Sequence, residues 1–295
     1  MIPLLRGCGT ALITPFTPGG AIDEPALRAL VDWQIAEGIH FLVPCGSTGE
    51  AVTLSLDEHR RVVEIVVDQV RGRLPVVAGA GSNDTKKAIA LSAMVRAAGA
   101  THLLHVSPMY NKPPQRGIIA HYAAIASETD LPIVVYNVPG RTGSNIEART
   151  TLALAEITGI VAVKEASGNL SQVHEILRAR PEHFAVLSGD DALTLAMMAA
   201  GAEGVISVTS NATPLKMAAL CDRAAAGDIK GARALHRELV PWMEGAFCES
   251  NPMPVKAAVA MLGRCQNVLR LPMVPLAPEK EPLVRAALVA AGALA

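Results

Sequence analysis

Eight short apolar segments recur along the chain about 20 to 35 residues apart, and they constrain the fold more than any other feature. Each is rich in β-branched residues and is apolar continuously, which is typical of parallel strands covered on both faces. The segments between them have helical periodicity, as in residues 24–38 and 57–72. The eight runs begin at Cys8, Phe41, Pro75, Thr101, Pro132, Ile160, Phe184 and Gly204. This alternation predicts a (β/α)8 TIM barrel, with a doubly wound open sheet as the alternative.

The sequence changes character after the eighth apolar run. No strand-like segment follows Ser210, and three helical stretches occupy the chain after about Ala225. We therefore predict a barrel over residues 1–224 and a C-terminal helical extension over residues 225–295. Because active sites of (β/α)8 barrels lie at the carboxyl ends of the strands, the residues that end each strand are the first candidates for function.

The composition excludes several kinds of partner. The 26 Lys and Arg residues are matched by 27 Asp and Glu residues, so no excess of positive charge is available for nucleic acid or an anionic membrane. No apolar run reaches the roughly 18 residues of a membrane span, and the N-terminus lacks the pattern of a signal peptide. The five cysteines are widely spaced and form no CxxC pair, which favours reduced thiols and a cytoplasmic location.

Lys164 follows the apolar residues 160–163 directly, so the sequence predicts an amine at the end of a buried strand. Burial lowers the pKa of a lysine, and a neutral amine can attack a carbonyl to form a Schiff base. The alternative is an ion pair with a carboxylate such as Glu165, but adjacent residues of a strand point to opposite faces. The other seven lysines fall in predicted helices or loops. We therefore expect Lys164 to be a nucleophile.

Three other features lie at predicted strand ends. Tyr136 ends the strand before that of Lys164 and is suited to proton transfer, although it could equally be a core tyrosine with a satisfied hydroxyl. The GSTGE turn at residues 46–50 offers backbone N–H groups to a carboxylate. Arg141 follows a Pro-Gly turn and suits bidentate carboxylate binding, while a solvated loop arginine is the commoner alternative.

The histidines and paired aspartates do not predict a metal site. His102 and His105 are three residues apart on a predicted strand and so face opposite sides. Asp190 and Asp191 lack a third ligand at any spacing known for a cation site. We therefore expect no bound metal.

Longer motifs resemble those of the dihydrodipicolinate synthase family, and the resemblance covers nearly the whole chain. The GxTGE turn and the strand lysine are shared by its superfamily of pyruvate-dependent aldolases, which form a lysine Schiff base and include N-acetylneuraminate lyase. The combination of YNVPGRTG with KEASGNL is more specific to the synthase branch. The other matching motifs are AGAGSN, YNKP, LSGDD, GVISVTSN, NPMPVK and LRLPMVP.

The resemblance implies condensation of pyruvate with L-aspartate 4-semialdehyde to give 4-hydroxy-tetrahydrodipicolinate, for lysine and diaminopimelate synthesis, with no metal or organic cofactor. Lys164 would form the Schiff base with pyruvate, and Tyr136 would transfer protons through a hydroxyl relay with Ser47 and Tyr110. The resemblance also implies a homotetramer, a dimer of dimers, in which Tyr110 reaches the site of a neighbouring subunit. Among the substrate-binding residues it implies are Thr48 for pyruvate, Arg141 for the semialdehyde carboxylate, and the Gly189 and Ile206 backbones.

The sequence departs from the family pattern at four positions. Ser47 stands where many members have threonine, which keeps the hydroxyl of the relay. Three changes fall in the cleft where lysine inhibits some members: Leu56 replaces a histidine, Lys87 a carboxylate, and Met109 a tyrosine. Because Lys87 would repel the ammonium group of lysine, we expect weak or absent inhibition.

Two other functions are compatible with the same barrel. A sister aldolase would act on a sugar acid such as N-acetylneuraminate or a 2-keto-3-deoxy acid, but the lyases of that kind lack an arginine at the position of Arg141. A non-catalytic keto-acid-binding protein would have no need of intact Lys164, Tyr136, Ser47 and Tyr110. The sequence therefore favours the synthase.

Overall fold

Eight parallel strands form the centre of the computed structural model, which describes residues 4–295. Each of the eight apolar segments of the sequence overlaps a strand, as predicted. Their bounds are β1 (Gly7–Ala11), β2 (Phe41–Val43), β3 (Val77–Gly79), β4 (His102–Val106), β5 (Ile133–Asn137), β6 (Ile160–Glu165), β7 (Ala185–Ser188) and β8 (Gly204–Ser207).

Helices follow each strand and cover the outside of the sheet. Their bounds are α1 (Glu24–Ala36), α2 (Leu56–Val70), α3 (Thr85–Ala97), α4 (Gln115–Ser127), α5 (Pro139–Thr142), α6 (Ala148–Ala155), α7 (Leu170–Ala179), α8 (Thr194–Ala199) and α9 (Pro214–Ala225). Of these, α5 is a single turn that begins with a proline at its first position, where the missing N–H costs no hydrogen bond. Arg141 lies on this turn, directly after the Pro-Gly pair noted in the sequence.

The sheet closes into a barrel between β2 and β3. The strand order is β2-β1-β8-β7-β6-β5-β4-β3, and the two end strands meet through Leu42 N–H to the Pro75 carbonyl (3.1 Å) and Gly79 N–H to the Pro44 carbonyl (3.0 Å). A side chain at Gly79 would lie 2.0 Å from the Cys45 carbonyl oxygen, so the close approach requires glycine. The predicted (β/α)8 barrel is confirmed, and the open-sheet alternative is wrong.

Apolar side chains fill both faces of the sheet, which explains why its strands are apolar without alternation. A smaller inner cluster fills the barrel, and a larger outer cluster packs the strands against the helices. Tyr136 belongs to the inner cluster, so its ring points into the barrel. The inner cluster consists of Leu5, Ala11, Phe41, Val43, Val77, Leu104, Val134, Tyr136, Val138, Ala162, Ala185, Leu187 and Ile206.

Three helices follow the eight strand-helix units: α10 (Ile229–Gly245), α11 (Met253–Met261) and α12 (Glu281–Ala290). They lie within the predicted C-terminal helical extension; the exact division into residues 1–224 and 225–295 stays a prediction. Within residues 4–295, no helix has the length and hydropathy needed to cross a membrane.

Candidate active site

Lys164 and Tyr136 are brought together at the carboxyl ends of two adjacent strands. They are paired directly in the register of β5 and β6, and both are buried, at 5% and 7% exposure. The Lys164 Nζ lies 4.3 Å from the centroid of the Tyr136 ring. The residues predicted to be the nucleophile and its proton carrier therefore lie side by side at the mouth of the barrel.

The surroundings of Lys164 favour its neutral form. Burial lowers the pKa of its amine from 10.5 to about 8; Asp191 opposes this shift, and Arg141 adds to it by repulsion. No carboxylate of residues 4–295 lies within ion-pairing distance of the Lys164 Nζ. Burial also raises the pKa of Tyr136 to about 12, so its phenol is protonated at neutral pH. The site thus combines an available amine with a protonated hydroxyl group.

Gly189 provides the space that the Lys164 side chain occupies. A Cβ at this position would lie 3.1 Å from both Cγ and Cε of Lys164, and 2.6 Å from the Cβ of Ala166. Gly189 follows β7, and its N–H donates to the Glu165 carbonyl at 2.8 Å. Its backbone is therefore fixed against β6 beside the lysine.

Glu165 lies on the opposite face of β6, as the strand periodicity predicted. Its carboxylate accepts hydrogen bonds from Asn137 Nδ2 (2.9 Å), Gln172 Nε2 (3.1 Å) and the Ser167 N–H (2.7 Å). These donors link β5, β6 and α7 behind the sheet. The alternative of a Lys164–Glu165 ion pair is wrong.

The GSTGE turn after β2 presents unpaired backbone donors. The N–H groups of Ser47 and Thr48 have no hydrogen-bond partner within residues 4–295, although the carbonyls of Gly46 and Ser47 accept bonds within the turn. Successive free N–H groups in a turn form a concave site for an anion. The geometry therefore supports the predicted carboxylate-binding function of residues 46–50.

Backbone strain is concentrated in two loops at the mouth of the barrel. Non-glycine residues with positive φ angles occur in the loop after β2, at Cys45 (57°) and Glu50 (54°), and in the loop after β4, at Tyr110 (72°) and Lys112 (45°). Such conformations cost energy and cluster at binding and catalytic sites. Four of the five such residues within residues 4–295 thus lie in these two loops; the fifth, Arg71, ends α2.

Asn251 connects two of the predicted substrate-binding residues. Its Nδ2 donates to the Thr48 Oγ1 at 2.9 Å, and its main-chain carbonyl accepts from the Arg141 guanidinium at 3.2 Å. Asn251 precedes α11, within the NPMPVK motif noted in the sequence, but no role was assigned to it there. Through Asn251, the C-terminal helical extension contacts the mouth of the barrel.

The three hydroxyl groups of the predicted relay are not connected within one chain. Ser47 is exposed, and the Tyr110 side chain is 89% exposed on a loop whose Tyr110 N–H donates to the Thr142 carbonyl. No hydrogen bond joins Ser47, Tyr110 and Tyr136 in the part of the chain that the structure describes. An exposed Tyr110 is available to a neighbouring chain, and the relay stays a prediction.

The remaining predicted residues lie around the same strand ends. Ile206, on β8, is fully buried in the inner cluster.

Asp191, set aside as a metal ligand, is a buried carboxylate that accepts hydrogen bonds from Ser207, Thr209 and the Val208 N–H. Burial raises the pKa of this carboxyl, and its field opposes the lowering of the pKa of Lys164. Nothing local in the sequence indicates that Asp191 lies near Lys164.

The three residues linked to lysine inhibition lie on the surface of separate elements. Leu56 is exposed at the start of α2, Lys87 is exposed on α3, and Met109 is partly exposed on the loop after β4. The Met109 carbonyl accepts from Asn83 Nδ2 at 3.2 Å, which brings the β3 and β4 loops together. The weak inhibition expected from these residues stays a prediction.

The barrel carries Lys164 and Tyr136 at the carboxyl ends of its strands, where (β/α)8-barrel enzymes have their active sites, and its relatives at about 50% identity are aldolase-type lyases. The chain belongs to the dihydrodipicolinate synthetase family, because a sequence model of that family matches residues 4–291. The resemblance inferred from the motifs is therefore confirmed.

Individual relatives match over almost their full length. A 4-hydroxy-tetrahydrodipicolinate synthase of Oleidesulfovibrio alaskensis is 50% identical over 287 residues, which cover 97% of this chain and 98% of the relative. The crystal structure of dihydrodipicolinate synthase from Thermotoga maritima has a TM-score of 0.97 at 40% identity, covering 99% of this chain and all of that one. The chloride-inhibited dihydrodipicolinate synthase from Acinetobacter baumannii, complexed with pyruvate, has a TM-score of 0.96 at 40% identity, covering 98% and 99%.

Proposed function

We propose that this chain condenses pyruvate with L-aspartate 4-semialdehyde through a Schiff base on Lys164, giving 4-hydroxy-tetrahydrodipicolinate for lysine and diaminopimelate synthesis. The observation that carries the proposal is the buried Lys164 amine, without an ion pair in residues 4–295, against the ring of Tyr136. A buried amine with a pKa of about 8 is available as a nucleophile near neutral pH. The 50% identity to a 4-hydroxy-tetrahydrodipicolinate synthase supports the choice of substrates.

The reaction proceeds in steps that this geometry can serve. The Lys164 amine attacks the keto carbon of pyruvate, and water leaves to give the Schiff base. Loss of a methyl proton gives an enamine, whose carbon attacks the aldehyde carbon of the second substrate. The amine of that substrate then attacks the imine carbon, which closes the ring and releases Lys164. Tyr136 carries the protons, because its phenol is protonated at neutral pH and lies beside the amine.

Carboxylate groups of the two substrates have separate sites in this proposal. The pyruvate carboxylate binds the N–H groups of Ser47 and Thr48 and the Thr48 hydroxyl, and the backbones of Gly189 and Ile206 line the pocket. Arg141 binds the carboxylate of aspartate semialdehyde. The unpaired N–H groups in the GSTGE turn and the exposed position of Arg141 support these assignments.

The proposed reaction needs no metal or organic cofactor, because the imine nitrogen on Lys164 accepts the electrons as the enamine forms. We also propose a cytoplasmic homotetramer, a dimer of dimers, in which Tyr110 joins the relay in a neighbouring subunit. The 89% exposure of its side chain supports that placement. The five free cysteines are compatible with a reducing compartment.

The rate with pyruvate is expected to rise with pH between pH 7 and pH 9. Because the neutral amine is the reactive form and its pKa is about 8, kcat/KM should increase roughly tenfold over this range and then level off. Arg141→Ala should move the inflection to higher pH, because Arg141 lowers the pKa of Lys164 by repulsion. A profile that is flat or falling from pH 7 to pH 9 would contradict the role of a titrating amine.

A substrate comparison tests the choice between synthase and sugar-acid lyase. We expect turnover of pyruvate with aspartate semialdehyde in a coupled assay, and no cleavage of N-acetylneuraminate.

Arg141→Ala should raise the KM for the semialdehyde by roughly 10- to 100-fold, the scale of a lost charge-assisted hydrogen bond, while borohydride still traps pyruvate on the enzyme. Arg233→Ala, which removes an exposed arginine on α10, is the control. Equal loss of trapping and of semialdehyde use in Arg141→Ala would show that the role assigned to Arg141 is wrong.

A further inference from the structure

Asn251 is a buried amide that contacts the proposed binding groups of both substrates. It is 4% exposed, and it lies between α10 and α11, more than 200 residues along the chain from the GSTGE turn. Its side chain contacts Thr48, whereas its contact with Arg141 is made by the main chain. The side chain and the backbone of one residue therefore contact the proposed sites of different substrates.

The contact with Thr48 fixes the direction of a hydrogen bond. An amide nitrogen only donates, so the Thr48 Oγ1 accepts from the Asn251 Nδ2 at 2.9 Å. A threonine hydroxyl has a single hydrogen, and within residues 4–295 the Thr48 hydroxyl donates to no acceptor. Its hydrogen is therefore left for a ligand at the GSTGE turn, beside the unpaired N–H groups of Ser47 and Thr48.

The other end of the same amide is not used. The Asn251 Oδ1 is buried and has no hydrogen-bond partner in residues 4–295. A buried acceptor without a partner costs stability, so the amide is poorly explained as a structural link between the barrel and α11. Its donor end meets Thr48, and this contact accounts for an asparagine at this position.

We propose that Asn251 is a positioning residue that orients the Thr48 hydroxyl as a donor to the pyruvate carboxylate, an inference that rests on the proposed function. In the absence of this amide, the Thr48 hydroxyl rotates freely or donates to another acceptor. The carboxylate then loses a directed donor, while the main-chain contact of residue 251 with Arg141 is unaffected. The side chain of Asn251 therefore affects the binding of pyruvate and not that of the semialdehyde.

A double-mutant cycle tests whether Asn251 acts through Thr48. Asn251→Ala should raise the KM for pyruvate about tenfold and change the KM for the semialdehyde less than about twofold. In a Thr48→Val background the same substitution should change the pyruvate KM less than about twofold, because no hydroxyl remains to be oriented. Equal effects of Asn251→Ala in the two backgrounds would overturn the proposal.

Asn251→Asp tests the direction of the bond and preserves the shape of the side chain. A carboxylate only accepts, so it captures the Thr48 hydrogen, and the pyruvate KM should rise at least as much as in Asn251→Ala. A wild-type pyruvate KM in Asn251→Asp would show that the Thr48 hydroxyl donates to residue 251, which contradicts the proposal. Asn267→Asp makes the same change at another amide of the C-terminal extension whose Oδ1 is buried without a partner, and it should leave both KM values unchanged.

The proposed function and this inference fail in different ways. Absence of borohydride-trapped pyruvate in the unmodified enzyme refutes the Schiff-base function and, with it, the role of Asn251. Normal trapping and turnover, with no change in the pyruvate KM of correctly folded Asn251 variants, refutes the positioning role alone. Thermal denaturation of each variant establishes that it is folded.

Discussion

Lys164→Met is expected to eliminate the pyruvate adduct and to lower kcat by roughly 10⁴-fold or more, the scale on which loss of a covalent nucleophile acts. Methionine has an unbranched side chain of similar length but no amine, so it fills the space beside Gly189 without forming a Schiff base. The folded protein should lose no stability. The amine has no ion pair in residues 4–295, and burial disfavours its charge, so the substitution breaks no ion pair and removes the cost of burying a charge.

Borohydride reduction with labelled pyruvate, followed by peptide mapping, measures this effect directly. The label should be found on the peptide of Lys164 in the wild type and on no peptide of Lys164→Met. Lys256 is the internal control, because it is the other buried lysine of residues 4–295 but remains paired with Glu50. Label on Lys256, or turnover by Lys164→Met near the wild-type rate, would contradict the assignment of the nucleophile.

The fold could be predicted because its signal is local and repeated. Each strand is covered on both faces, so each appears in the sequence as a continuous apolar run between helical segments. The position of Lys164 could be predicted for the same reason, since an amine that follows four apolar residues must lie near the end of a buried strand. The register of β5 and β6 then brings Tyr136 beside it. These inferences need only the strand pattern and the rule that barrel sites form at carboxyl ends.

Contacts between the C-terminal extension and the site could not be predicted in this way. Asn251 meets Thr48 across 203 positions of sequence, and Lys256 meets Glu50 across 206. No periodicity connects such distant residues. By its local pattern, Lys256 is only one of seven lysines in predicted helices or loops. One signal was available: Lys256 is the only charged residue of the otherwise apolar helix α11, and a charge in such a helix needs a partner.

The Glu50–Lys256 ion pair holds the end of the GSTGE turn against α11. Both side chains are essentially inaccessible to solvent, at 1% and 0% exposure. The Lys256 Nζ also donates to the Val268 carbonyl at 2.8 Å, and the Glu50 carboxylate accepts from the Arg270 N–H at 3.0 Å. Each charge is therefore compensated by its partner and by a backbone group, which makes the pair costly to break from one side.

Lys256→Met is expected to lower the free energy of unfolding by about 3–5 kcal/mol, because it leaves the Glu50 carboxylate buried without its counter-charge. Denaturant unfolding of the variant measures this loss. Lys216→Met is the matched control, since Lys216 likewise pairs with a carboxylate and donates to a backbone carbonyl, but its ion pair with Glu238 is exposed. That control should lose no more than about 1 kcal/mol.

Removal of both charges distinguishes the contribution of the ion pair to stability from that of side-chain packing. Glu50→Gln combined with Lys256→Met should be less destabilised than Lys256→Met alone, because no uncompensated charge is then buried. Equal destabilisation of Lys256→Met and Lys216→Met would show that the buried pair contributes no more than a surface pair. We thus expect opposite effects on stability from the same substitution at the two buried lysines. Lys164→Met should lose activity and keep its stability, whereas Lys256→Met should lose stability because the charge of Lys256 has a partner.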